Sequence, residues 1–333
     1  MAQLEVKRQM ARGDIAAVSE LLDVATRVDG HAPLGEHQWL DLVHGGRAGF
    51  AGLVAWEPGH DHPVGYAQLT RDAQGTGRTW ALEFVVDPHH LDTSPEIGTT
   101  LVQAALGIVR GEGGGHVHLW VPKPGPDHDR IAEAAGLHKG RELLQLRRPL
   151  PLPPGPERPV DRGDGLTREH GGLDLRPFLP GSDEEAWREV NNRAFNWHEE
   201  QGGWDIGTIR DREAQPWFDP AGFLLHERDG RLAAFCWTKV HDDADPPLGE
   251  IYVIAVDPAF QGLGLGRALA VAGLDSLAAR GLRTAMLYVD GDNAPGLRLY
   301  EKLGFTVDHV DRAYTADVEA EPGPPPETDN RPG

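Results

Sequence analysis

The chain has 333 residues, 39% of them hydrophobic, which favours two folded domains over one. Its formal net charge of −20 and its lack of a long apolar run exclude a generally basic nucleic-acid or anionic-membrane surface and an apolar membrane span. The start, "MAQLEVKRQMARGDIAA", has no apolar core of signal-peptide type, so a cytoplasmic monomer without nucleic-acid or membrane partners is expected.

In chain order, a helix is expected over Ile15 to Val28, then hairpin strands over Gly49 to Trp56 and Val64 to Thr70. A long apolar strand follows from Trp80 to Val86, then a helix from Thr99 to Arg110 and a strand from His116 to Val121. The segment 151–172 is rich in proline, glycine and charge and reads as a linker, leaving 1–150 as a first domain. The second domain, 173–316, opens on a helix from Ser182 to Phe195, with Ser182 and Glu185 spaced as a capping box. Strands over Gly222 to Glu227, Arg231 to His241 and Glu250 to Val256 come next. They are followed by a helix over Leu265 to Ala279 and a strand over Thr284 to Val289. The tail 317–333 has the composition of a disordered segment. The lone cysteine, Cys236, sits in the buried-strand pattern "LAAFCWTKV" and reads as an inert core thiol. Mixed strands and helices give an α/β class, an α+β mixed sheet with helices packed on it.

The halves repeat. An offset of 170 residues carries Val86-Asp87-Pro88 onto Val256-Asp257-Pro258, and one of 168 carries Gly98, "HVHLWV" and "AEAAGL" onto Gly266, "TAMLYV" and "YEKLGF". A single short slip between similar blocks marks a duplicated domain.

The second copy carries "VDPAFQGLGLGR", an apolar strand running through glycines into a helix. Free N–H groups and the helix dipole at such a start favour a phosphate, and glycines let the backbone close on it. Gly262, Gly264 and Gly266 do not have the G-x-G-x-x-G spacing of a dinucleotide fold, and no Gly-Lys-Ser/Thr of a P-loop is present. "DGDNAPGLRLYE" mimics a calcium loop, but Ala294 and Pro295 stand where an oxygen ligand and a glycine are required. Sixteen histidines show no convincing metal-ligand spacing, and no metal is expected.

Gln261-x-x-Gly264-x-Gly266 after V-D-P, followed by "LYVDGDNAPGLRLYEKLGF", resembles the acetyl-CoA motif and closing signature of the GNAT acetyltransferase superfamily. The resemblance implies two tandem GNAT acyl-CoA N-acyltransferase domains, each with a sheet splayed between two central parallel strands, and acetyl-CoA as co-substrate. It implies cofactor contacts at Ile254, Ala255 and Val256, at Gln261, Gly262, Leu263, Gly264, Leu265, Gly266 and Arg267, and at Asn293, Ala294, Pro295, Gly296, Leu297 and Arg298. In the first copy it implies Phe84, Val85 and Val86.

Acetyl transfer to an amine needs a proton acceptor for the nucleophile and a donor for the departing thiolate. Glu250, at the head of the cofactor strand, suits the first role. Tyr300 suits the second, because a phenol with a pKa of about 10 stays protonated beside a thiol of about 8.5. At the repeat offsets Glu250 falls on Trp80 and Tyr300 on Ala132, so the first copy is expected to be catalytically silent.

The tandem layout, with "APLGEHQWL", "VNNRAFNWHEEQGGW", "FCWTKVH" and "GEIYVIAVDP", is similar to the mycothiol synthase family, which acetylates the cysteinyl amine of a cysteinyl-glucosaminyl-inositol. That likeness implies substrate contacts at Glu36, Glu200, Lys239, Glu250 and Tyr288. His198-Glu199-Glu200-Gln201 departs from the family's H-P-E-Q, which bears on the placing of Glu200. A small-molecule amine of another kind, such as an aminoglycoside or a peptide N-terminus, and a non-catalytic acyl-CoA sensor stand as alternatives.

Overall fold

The computed structural model describes residues 3–71, 78–91, 96–153, 173–196, 202–242 and 244–321. These form two compact units, one holding the residues up to Glu142 together with those from Asp311, the other Leu143–Val310.

The first unit contains β1 (Gln3–Lys7), α1 (Arg12–Asp29), α2 (Glu36–Val43), β2 (Phe50–Trp56), β3 (Gly65–Arg71) and β4 (Thr79–Val86). These are followed by α3 (Pro88–Leu91), α4 (Glu96–Gly111), β5 (Gly115–Val121) and α5 (Pro126–Ala134). β6 (His138–Pro149) begins in this unit and contributes residues 143–149 to the second. The second unit continues with β7 (Arg176–Pro177), α6 (Glu184–Ala194), α7 (Ile206–Glu213), β8 (Phe223–Arg228), β9 (Arg231–His241) and β10 (Leu248–Val256). Then come α8 (Leu265–Ala279), β11 (Thr284–Asp290), α9 (Ala294–Lys302) and β12 (Thr306–Val318), whose residues from Asp311 belong to the first unit.

The strand order is β1-β2-β3-β4-β5-β12 in the first unit and β6-β11-β10-β9-β8-β7 in the second. Each sheet is antiparallel apart from one central parallel pair, β4 with β5 and β10 with β11. Each is closed by a strand from the other half of the sequence. Arg312 to Val318 pair with β5, and Leu143 to Pro149 pair with β11.

Both faces of each sheet are covered. In the first unit α4 and α5 bury Leu101, Val102, Ala105, Ile131 and Ala132 on one face, and α1 with α2 bury Val18, Leu21 and Leu42 on the other. In the second unit the α8 residues Leu265, Leu269, Leu274 and Leu277 recur at helical spacing and turn inward with Tyr300 of α9. Burying one such leucine contributes about 1.5–3 kcal/mol. The opposite face holds an aromatic group around Trp187, Phe223, Phe235 and Trp237. Trp237 stacks on Phe223 with centroids 4.4 Å apart and meets Trp187 edge-on at 5.8 Å.

One local expectation is corrected. Helix α6 starts at Glu184 with Asp183 at its N-cap, so Ser182 and Glu185 form no capping box. Arg176 holds Asp183 through bonds of 2.7 and 2.9 Å, Leu179 N–H donates to Asp183, and Glu185 turns outward to Arg188. Those bonds shift the helix start by one residue. Among the described residues no helix is long and apolar enough to cross a membrane.

Candidate functional site

In the second unit several of the expected site residues lie where the two parallel strands part. β10 and β11 pair only at Gly249↔Ala285 and Glu250↔Met286. Beyond Glu250 that ladder stops, while β10 remains paired to β9 through Ile254↔Cys236, Ala255↔Phe235 and Val256↔Ala234. Ile254, Ala255 and Val256 therefore border a cleft on the β11 side with unladdered backbone, the requirement for hydrogen-bonding an extended arm.

Glu250 lies at the point of parting and is only 6% exposed. Its Oε2 is 2.7 Å from His241 Nε2. The sequence reading did not single out His241. Its only signal was as the last residue of "FCWTKVH", the strand that precedes β10. Lys239 is the cross-strand partner of Glu250 and so shares its face, with Nζ 4.3 Å from the Trp217 ring centroid and 5.2 Å from that of Tyr252. Tyr288 lies two residues beyond Met286 on the same face of β11, and Gln145 Nε2 donates to its Oη at 2.7 Å. The structure thus gathers Glu250, Lys239 and Tyr288 on one sheet face. Glu36 is the first residue of α2 in the other unit, and Glu200 lies outside the described residues.

The glycine turn forms as its sequence demands. Asp257 Oδ1 accepts from Ala259 N–H at 2.9 Å and starts a short 3-10 turn at Pro258–Phe260. Burial alone would raise the Asp257 carboxyl, but the Ala259 amide and Arg193 at 2.7 Å outweigh it and hold the group below its ordinary value. Gly262 and Gly264 have φ of 79° and 77°, the left-handed region where a side chain strains the backbone. Gly264 is the N-cap of α8 and has no side chain to cap it, which leaves the first amides of a 15-residue helix to face an anion. Gln261, Gly262, Leu263 and Gly264 are exposed, Leu265 is buried, Gly266 is half-buried and Arg267 is exposed.

Asn293 is the N-cap of α9, its Oδ1 accepting from Gly296 N–H at 2.9 Å. Ala294, Pro295 and Arg298 are exposed on that end of the helix, and Leu297 packs on the core. Two turns on, Tyr300 is 8% exposed and lies 5.8 Å from Phe305 between ring centroids. Burial and its neighbour Cys236 push the phenol's pKa well above its ordinary value. Tyr300 is both a core aromatic and a held proton.

The first unit repeats the frame with different contents. β4 and β5 part after Leu82↔Leu119, so Phe84, Val85 and Val86 border the corresponding cleft. Asp87 accepts from His89 N–H at 2.9 Å, as Asp257 does from Ala259. Trp80, which the 170-residue offset sets against Glu250, is fully buried with Nε1 donating to Gly114 O, and the strand pairing instead gives Ala81 the Glu250 position, Ala81↔His118 matching Glu250↔Met286 across a register shift in β10. A Cβ on Gly98 would come within 2.7 Å of Ile131 Cδ1, whereas one on Gly266 would meet nothing nearer than Val256 Cγ2 at 3.9 Å. Gly98 is packed against Ile131, whereas Gly266 has room around it.

Comparison with known proteins agrees with this geometry. Residues 186–305 match the model of the acetyltransferase (GNAT) family. The chain is 44% identical to the mycothiol acetyltransferase of Acidimicrobium ferrooxidans over 299 residues, covering 89% of this chain and 92% of that one. It is 46% identical to the mycothiol acetyltransferase of Thermomonospora curvata, covering 90% and 93%. Among solved structures, a tandem GNAT protein from the clavulanic acid biosynthesis pathway superposes with a TM-score of 0.66 at 18% identity. That superposition covers 96% of this chain and all of the other, and it shows a shared fold.

Proposed function

The chain belongs to the mycothiol acetyltransferase family and is an acetyl-CoA-dependent N-acetyltransferase; from that premise we propose that it acetylates the cysteinyl amine of 1D-myo-inositol 2-(L-cysteinylamino)-2-deoxy-alpha-D-glucopyranoside. The observation that carries the site assignment is the position of Glu250 at the last rung of the β10–β11 ladder, on the strand that runs into the uncapped start of α8.

The uncapped amides after Gly264 and the unladdered edge of Ile254–Val256 fit a diphosphate joined to an extended amide-bearing arm. When bound, acetyl-CoA supplies the acetyl group as an activated thioester. Gln261 to Arg267 hold the diphosphate, and Asn293 to Arg298 line its other side. Glu250 Oε2 takes the proton that the amine loses on acylation, directly or through water, and His241 Nε2 is placed to pass it on. An α-amine has a pKa of about 7.7, so neutral nucleophile is plentiful near pH 7 and the base need only be modest. Tyr300 Oη, kept protonated by burial, gives a proton to the departing thiolate. Lys239 and Tyr288 supply hydrogen bonds to a polyol on the face that Glu250 shares. Glu36 and Glu200 enter the substrate set through the family resemblance alone. The first unit is assigned no catalytic step, and a cytoplasmic setting suits the acidic chain.

The test is turnover of the purified protein with acetyl-CoA and a panel of amines. The cysteinyl pseudodisaccharide is expected to give the highest kcat/KM. A higher value for an aminoglycoside or a peptide N-terminus rejects this substrate, and acetyl-CoA binding without any turnover identifies a sensor.

A further inference from the structure

The first unit carries a side-chain cluster that acetyl transfer does not use. The β2–β3 loop, "EPGHDHP", ends against the first turn of α3, "DPHH". There Glu57, His60 and His90 each turn one donor atom inward, and the three atoms lie within 4.8 Å of one another. Glu57 Oε2 is 3.7 Å from His90 Nε2. The His60 and His90 rings meet edge-on with centroids 4.7 Å apart.

Tetrahedral zinc, with bonds of about 2.0–2.2 Å to nitrogen and oxygen, sets its donors about 3.3–3.5 Å apart. The Glu57–His90 pair is already within a few tenths of an ångström of that separation. His60 is exposed on that loop, and completing the set requires its ring to move inward. The other nitrogen of His90 supplies an independent observation. His90 Nδ1 is buried, makes no hydrogen bond, and faces Asp87 Oδ2 at 3.8 Å. Metal-bound histidines direct their second nitrogen at a carboxylate, which fixes tautomer and ring orientation. Asp87 is 2% exposed and fixed by His89 N–H, so it is a rigid orienter.

We propose that Glu57, His60 and His90 form a zinc site, oriented through Asp87 and completed by water. Two imidazoles and one carboxylate suit a borderline-soft transition ion and not calcium or magnesium, which take oxygen donors. The ion joins the β2–β3 loop to α3, immediately after the strand carrying Phe84, Val85 and Val86. In the second unit the matching Asp257 is met by the guanidinium of Arg193 instead. The same turn is thus tied by a cation in both units, organic in one and metallic in the other.

Full-length protein stripped with a chelator is titrated with zinc chloride by calorimetry, and stoichiometry is read by native mass spectrometry. One zinc per chain is expected at about micromolar affinity or tighter, with a rise in Tm. His60→Ala and Glu57→Gln each weaken binding at least tenfold and abolish the Tm rise, whereas His89→Ala leaves both intact; Asp87→Asn weakens binding about tenfold through His90. His60 is exposed, so its removal leaves the core untouched, and circular dichroism confirms folding of each variant. Absence of stoichiometric zinc overturns the proposal. So does unchanged affinity in the folded His60→Ala/His90→Gln double variant.

Discussion

The two units share one frame and differ in what stands at the parting of their parallel strands. In the first, the ladder ends at Leu82 and the next residue, Glu83, is a buried carboxylate; in the second it ends at Glu250 itself. Both carboxylates are hydrogen-bonded, but to different kinds of group. Glu83 Oε2 accepts from the backbone N–H of Gly35 at 2.7 Å, and Glu250 meets the ring of His241 at the same distance. A backbone amide holds a carboxylate in place and cannot relay a proton; an imidazole can do both. The surroundings diverge in the same sense. Phe84, Val85 and Val86 are all buried, whereas Ile254 and Val256, at the corresponding positions, are half-exposed. Ala255 is buried like Val85, so the difference in burial along this edge lies at the two positions that flank it.

The most severe way to break this contrast is Glu250→Gln, which keeps the shape and removes the proton acceptor. A loss of kcat of about 10³ is expected, deepest at low pH where neutral amine is scarce. An unchanged pH–rate profile removes Glu250 from the base role. Tyr300→Phe is expected to lower kcat about 10²-fold with little change in KM for acetyl-CoA. Because burial raises the phenol's pKa, no alkaline loss of activity up to pH 10 is assigned to Tyr300, and a pH profile checks this.

Glycine variants sharpen the comparison at intermediate size. Gly264→Ala strains a left-handed N-cap by about 1–2 kcal/mol and is expected to raise KM for acetyl-CoA several-fold. Gly98→Ala drives a methyl group into Ile131, costing about 1–3 kcal/mol of stability on thermal unfolding, with KM for acetyl-CoA unchanged. The smallest effect concerns Cys236, whose thiol burial pushes up to about 12. The unfolded chain ionises this group near pH 8.5, so its contribution to stability is whole below that pH and fades as pH rises toward the folded value. Alkylation at pH 8.5 is expected to spare Cys236 until the protein unfolds.

Much of this was legible in the sequence because the signals were local. Apolar runs located β9 and β10, and "QGLGLGR" located the turn, since a positive φ favours glycine. Glu250 and Tyr300 followed from the proton transfers that acetyl transfer needs and from their places on the strand before the glycine turn and on the helix after Asn293. His241 did not, because a histidine at a strand end has no pattern of its own and its bond to Glu250 depends on cross-strand register. Asp183 displaced Ser182 as the α6 cap because Arg176, on a different element, holds it. The cluster at Glu57, His60 and His90 joins a loop to a helix 30 residues further on, a spacing that resembles no metal motif. The closing strands were equally hidden, since 143–149 and 312–318 have similar alternation and nothing local says which sheet each completes.

That exchange has a consequence during synthesis. The ladder that finishes the first sheet joins Val121 to Arg312, which is 191 residues later. At a ribosomal pace of about 5–20 residues per second, β5 waits about 10–40 s with an open edge. For that interval the nascent chain presents a sticky strand margin to any neighbour. A stop codon at or before Arg312 therefore removes the closing strand of the half of the protein that was made first.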